Sequence, residues 1–248
     1  MHNIKVVIPA RYGSSRLEGK PLLEINGKPI FWHVYQRCLD AGIEEANIIL
    51  ATDDIRIYQK AENLNLCVVM TNIDHDSGTD RISEVAEKLH WSPETLVINV
   101  QGDEPLIPST LIQQVIEFAN CNTQYPITTA VTPIVNYDEV NNPNVVKAIL
   151  GLDGRILYFT RSASPLNRDK PKDISLCFRH IGIYTYRVST LFEFCSYPEA
   201  PLEKYEKLEQ LRALSNGIAI GSCVYHGKLP HGVDTYEDYR NIKSKMEI

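Results

Sequence analysis

Between residues 4 and 119, short apolar runs alternate with stretches of helical periodicity, and this alternation restricts the fold most. Runs at 4–8, 47–51, 66–70 and 96–100 read as strands. Segments at 30–41, 54–63, 77–90 and 108–119 read as helices. The first sets Ile30, Val34, Cys38 and Ala41 on one face and stops at Gly42. Ser77 and Asp80 have capping-box spacing. Repeated strand–helix alternation predicts a parallel sheet covered by helices on both faces. Ligands of such sheets sit beyond the carboxyl ends of the strands. The segments 9–20, 52–54, 74–81 and 101–103 are therefore expected along one mouth.

The loop at 9–21 carries Arg11, Arg16 and Lys20 among Gly13, Ser14, Ser15 and Gly19, between Pro9 and Pro21. Glycines admit backbone N–H groups to phosphate oxygens and cations neutralise them, so the loop suits a polyphosphate. It is neither a Walker P-loop nor a dinucleotide fingerprint: GxxxxGK[ST] and GxGxxG are both absent. A solvated basic loop is the plain alternative. Net charge is −6, which disfavours non-specific nucleic-acid binding and points these local cations at a small anion.

The second half is less regular. Residues 127–133 and 179–187 read as strands, and Gly-Leu-Asp-Gly at 151–154 marks a hairpin between 147–150 and 155–159. Residues 162–176 read as a polar loop, 188–196 and 201–214 as helices, and 218–224 as a strand, with Thr235 capping a last helix. A single domain with an inserted β-rich subregion is expected. Most of the six cysteines fall in apolar runs and are expected to be buried thiols; none has the spacing of a zinc or redox motif. The residues show neither a signal peptide nor a membrane-spanning run, so a cytoplasmic protein is expected.

Asp103 follows a strand and a glycine, and Asp234 sits between a glycine-bearing turn and a Thr-capped helix. If they meet, the pair could hold one or two Mg²⁺ ions opposite the cationic loop, an arrangement suited to phosphoryl or nucleotidyl transfer. Alternatively each aspartate caps a turn or helix. His180 reads as a hydrogen-bonding group rather than a metal ligand, because no partner lies at ligand spacing. Glu209 and Gln210 fall on the predicted 201–214 helix and could point either way, whereas Glu203, Glu206, Lys207 and Arg212 read as its solvated face.

Eight segments, in order, resemble the 3-deoxy-manno-octulosonate (Kdo) cytidylyltransferases, the CMP-Kdo synthetases. They are Ile8-Pro9-Ala10-Arg11-Tyr12-Gly13-Ser14-Ser15-Arg16-Leu17 with Gly19-Lys20-Pro21-Leu22, Ala51-Thr52-Asp53-Asp54, Asp74 to Arg81, and Asn99 to Pro105. Leu157-Tyr158-Phe159, Arg179 to Tyr184, Leu208 to Arg212 and Gly232-Val233-Asp234-Thr235 complete the set. The resemblance implies a mainly parallel Rossmann-like nucleotidyltransferase sheet with an inserted β-rich dimerisation subregion. Residues 1–125 would form the nucleotide-binding part, 126–225 the sugar-binding and dimerisation part, and 226–248 a metal-binding segment and helix. It also implies CMP transfer from CTP to Kdo with Mg²⁺, by a homodimer, for lipopolysaccharide or capsule synthesis.

By the same resemblance, Lys20, Asp103 and Asp234 are catalytic, and Asp103 and Asp234 carry the metal. Ala10, Arg11, Ser14, Arg16, Lys20, Ser77, Gly78 and Arg81 bind nucleotide. Gln101, Arg161, His180, Tyr184, Glu209 and Gln210 contact the sugar. Three positions depart from the pattern: Glu18 and Tyr236 replace prolines, and Thr160–Arg168 differs from the usual segment. An 8-amino analogue of Kdo is an alternative substrate. A sialic-acid enzyme is disfavoured by Ser15-Arg16-Leu17 and Lys20-Pro21. A non-catalytic nucleotide-binding homologue is the rival from another class, although all the expected cations and carboxylates are present.

Overall fold

The computed structural model describes residues 4–13, 16–75 and 77–247. The chain forms two compact units, residues 1–113 with 228–248, and residues 114–227. The fold is mixed α/β with a mainly parallel sheet, as the strand–helix alternation predicts.

The first unit begins with β1 (Ile4–Pro9) and a small hairpin, β2 (Glu24–Ile25) and β3 (Lys28–Pro29). Helix α1 (Ile30–Asp40) leads to β4 (Ile48–Thr52), α2 (Ile55–Glu62) to β5 (Val68–Met70), and α3 (Gly78–Lys88) to β6 (Leu96–Asn99). Helix α4 (Ser109–Cys121) starts in this unit and ends in the second, and a C-terminal helix, Tyr236–Met246, returns to the first unit. The strands are parallel in the order β6-β1-β4-β5. The chain thus winds outward from β1 to β5, then returns to β6 on the other side of β1. That reversal opens a crevice at the carboxyl ends of β1 and β6.

Every residue of β4 and β6 is buried, as are Val6, Val7 and Ile8 of β1. Parallel strands covered on both faces read as unbroken apolar runs, which made them visible in the sequence. The β2–β3 hairpin was not expected. Asn26 and Gly27, both at positive φ, close it, an Asn-Gly signal of the usual kind. Its Ile25 packs with Ile30, Val233, Tyr239 and Ile242, and the Tyr239 hydroxyl donates to Glu24 O at 2.6 Å. These contacts fasten the C-terminal helix. Thr235 and Asp238 form a capping box at its start, so Tyr236 takes the place of proline at no loss of the cap.

The second unit contains β7 (Ile127–Pro133), α5 (Tyr137–Asn141), β8 (Lys147–Leu150) and β9 (Ile156–Thr160). Then come β10 (Phe178–Arg187), α6 (Val188–Ser196), α7 (Pro201–Glu206), α8 (Leu211–Ser215) and β11 (Ile220–Val224). Strand β7 runs parallel to β11 and antiparallel to β10, while β8 pairs antiparallel with β9 and β10.

Three expectations need correction. The helix expected over 201–214 is two, α7 and α8, because Lys207 turns into the left-handed region at φ 54°. Glu209 and Gln210 therefore lie in the turn between them. Glu203 is not on a solvated face: it is buried, accepts from Ala200 N–H at 2.9 Å, and grips Arg212 through two oxygens at 2.6 and 2.9 Å. Of the cysteines, only Cys38, Cys177 and Cys223 are buried; Cys67 and Cys121 are exposed, since each sits where an element ends or begins rather than inside one.

Candidate active site

A cleft of about 270 Å³ opens in the first unit at the β1–β6 switch point. Pro9, Ala10 and Arg11 line it from the end of β1, and Gln101, Gly102 and Asp103 from the end of β6. Gly102 is required there: a Cβ would come within 2.5 Å of Pro9 O. Arg16, Lys20, Ser77, Gly78, Arg81 and Asp234 also line the cleft. Ser14 lies outside the described residues. Glu18 is exposed and does not line the cleft.

Asp234 reaches the cleft because Val233 N–H donates to Asp103 O at 2.8 Å, which draws residues 232–235 onto the end of β6. Lys20 Nζ lies 2.6 Å from Asp103 Oδ2 and 3.7 Å from Asp234 Oδ1. Arg16 donates to Asp234 Oδ1 at 2.8 Å across 218 residues of sequence. The two carboxylates expected to meet thus share one ammonium group. Glu104 stands behind them. Burial, and then the charges of Asp103 and Asp234, push its carboxyl up to about 7.

The loop between β1 and Lys20 is braced from α2. The Arg56 guanidinium lies 3.3 Å from the Tyr12 ring centroid and is held by Asp54 at 2.6 and 2.9 Å. On the opposite wall, Ser77 caps α3, accepting from Asp80 N–H at 3.1 Å. Arg81 is buried and hydrogen-bonded to Asp53 at 2.6 Å and to the Thr71 hydroxyl. Its guanidinium is largely committed to the wall. His75, which the sequence reading did not single out, also lines the cleft, with Nε2 2.5 Å from Glu84. It lies within the Asp74–Arg81 segment, but no spacing distinguished it there. Burial opposes ionisation of Glu84, yet Lys88, Asn72 N–H and His75 bring its pKa down to about 2.

In the second unit, Tyr184, Glu209 and Gln210 line a small pocket of about 20 Å³ with Tyr186 and Phe194. His180 stands beside Tyr184, ring centroids 5.3 Å apart. Desolvation lowers its pKa to about 3, so the imidazole is neutral. Arg161 donates to the carbonyls of Glu206, Pro143 and Lys207 at 2.7, 2.9 and 3.2 Å, a latch within this unit.

Among the described residues, no group of three or more His, Cys, Asp or Glu side chains could enclose a metal. The Asp103–Asp234 pair nonetheless fits Mg²⁺, which is commonly bound by one or two carboxylates together with substrate phosphates and water. No helix among the described residues is long and apolar enough to cross a membrane.

A family profile described as cytidylyltransferase matches residues 5–220. A 3-deoxy-manno-octulosonate cytidylyltransferase of Cellvibrio japonicus is 44% identical, with 98% of each chain covered. A protein of Paraburkholderia phytofirmans named 3-deoxy-manno-octulosonate cytidylyltransferase 2 is 41% identical, covering 99% of this chain and 95% of that one. A solved structure of CMP:2-keto-3-deoxy-manno-octonic acid synthetase, complexed with CTP, superposes with a TM-score of 0.90 at 38% identity, covering 98% of both chains. The fold and cleft are those of a nucleotidyltransferase. The chain belongs to the cytidylyltransferase family and, within it, to the 3-deoxy-manno-octulosonate cytidylyltransferases. Cytidylyltransferases generally require a divalent metal.

Proposed function

We propose that this chain transfers CMP from CTP to the anomeric hydroxyl of 3-deoxy-D-manno-octulosonate, releasing pyrophosphate. The observation that carries the reading is the Lys20 ammonium set against Asp103 and Asp234 in a cleft that Arg11 and Arg16 also line. Arg11, Arg16 and Lys20 bind the triphosphate; its oxygens take over the hydrogen bonds that Arg16 and Lys20 make to the aspartates. Ala10, Ser14, Ser77 and Gly78 complete the nucleotide contacts, and Arg81 holds the wall behind them. Asp103 and Asp234 would hold Mg²⁺, which when bound would neutralise phosphate charge and make the sugar hydroxyl more acidic. With charge balanced and the nucleotide fixed, catalysis is chiefly positioning.

Gln101 is assigned to sugar contact in the first unit, and His180, Tyr184, Glu209 and Gln210 in the second; Arg161 acts there by holding the chain. The exposed Leu157, Leu166, Leu176 and Tyr205 of the second unit support a homodimer formed through that unit. A cytoplasmic enzyme supplying lipopolysaccharide or capsule synthesis fits the family and its need for CTP.

The test is pyrophosphate release with CTP and Mg²⁺, comparing Kdo, its 8-amino analogue, N-acetylneuraminic acid and no sugar. Release with Kdo far above the others is expected. Preference for the 8-amino sugar would keep the chemistry and change the substrate. No release with any sugar, from folded protein that binds CTP, would overturn the reading.

A further inference from the structure

Strand β10 carries two extra residues against β7: Ile181 pairs with Ala130 and Tyr184 with Thr129, leaving Gly182 and Ile183 looped between. The Thr129 hydroxyl spans this bulge, 2.8 Å from Ile183 O and 3.1 Å from Ile181 O. It is also 3.1 Å from His180 Nε2. A hydroxyl has one proton, and two of these three neighbours are carbonyls, which only accept. The proton is therefore used on the bulge, and the oxygen's lone pairs face Nε2. With that proton on the bulge, two lone pairs would face each other unless Nε2 carries the hydrogen. Phe159 edge-on at 4.9 Å and Tyr184 at 5.3 Å hold the ring in place.

We propose that Thr129 is a positioning residue that locks His180 in the Nε2–H tautomer, presenting Nδ1 as a bare acceptor for a hydroxyl of the acid sugar. The sugar part rests on the assignment of His180 to sugar contact made above; the tautomer does not. A neutral acceptor selects a hydroxyl and repels a carboxylate, so His180 would read the polyol portion of the substrate and leave its acid group to other residues.

Nitrogen-15 spectra of the intact protein labelled at histidine, with His180 assigned by loss of its signals in His180→Gln, report the tautomer directly. The Nε2–H form is expected; an Nδ1–H form would overturn the proposal. Thr129→Val should mix the tautomers and raise KM for Kdo roughly tenfold, the scale of one lost hydrogen bond, with KM for CTP nearly unchanged. Thr129→Ser should restore both readouts. An unchanged KM for Kdo in folded Thr129→Val, or no rescue by serine, would overturn the positioning role. If the valine variant does not fold, the wild-type tautomer and the serine variant still decide. Failure of the wild-type chain to form CMP-Kdo would instead overturn the functional reading, and the spectrum would judge the tautomer independently.

Discussion

Lys20 sits where an anionic nucleotide and a divalent cation would compete for the same charges. Its side chain is only 12% exposed, so its contact with Asp103 is shielded more than the open Arg16–Asp234 pair, which contributes less than about 1 kcal/mol. Lys20→Ala should raise KM for CTP by about 10- to 100-fold, measured by steady-state kinetics at saturating sugar. Asp103→Asn should lower kcat by about 100-fold or more while the melting temperature barely moves, since it would remove the proposed metal ligand rather than a packing contact. Glu84 behaves differently. Its folded pKa of about 2 lies below the unfolded value of 4.5. The stability it contributes is complete above about pH 4.5 and fades as pH falls toward about 2. Glu84→Gln should cost about 2 kcal/mol at pH 7, and urea titrations at falling pH should show the gap closing below about 4.5.

At the scale of elements, what the sequence disclosed depended on whether one element sufficed to explain a pattern. Buried parallel strands announce themselves because each run must be apolar throughout. Ser77 and Thr235 announced their helices because a cap is a local hydrogen bond. The break between α7 and α8 was invisible: charged residues at 203, 206, 207 and 212 read as a wet face, yet Glu203 and Arg212 turn inward toward each other. Only the fold reveals that pairing. Arg212→Met should destabilise the protein by about 3 kcal/mol in urea unfolding, because it strands a buried carboxylate. In the active cleft, the resemblance named the carboxylates and cations, but not that Lys20 joins them or that Arg81 is spent on Asp53 and Thr71. Those facts depend on distances between segments far apart in the chain.

For the whole molecule, most of the large apolar side chains left in solvent belong to the second unit, Val135, Leu152, Leu157, Leu166, Leu176 and Tyr205 among them. Exposed apolar surface of this kind commonly marks an association face. Sedimentation equilibrium should find a dimer, and Leu157→Glu should shift it toward monomer; a monomeric wild-type chain would refute the proposed assembly.

The Val233–Asp103 hydrogen bond has a consequence for synthesis on the ribosome. Most of the first unit emerges early, but the segment bearing Asp234 and the helix that pins it emerge only after the whole of the second unit. A partly made or prematurely terminated chain therefore has the cationic loop without its second carboxylate. By the proposed roles it would attract triphosphate without completing the charge arrangement, so catalysis would wait until residues 232–246 have been made and docked.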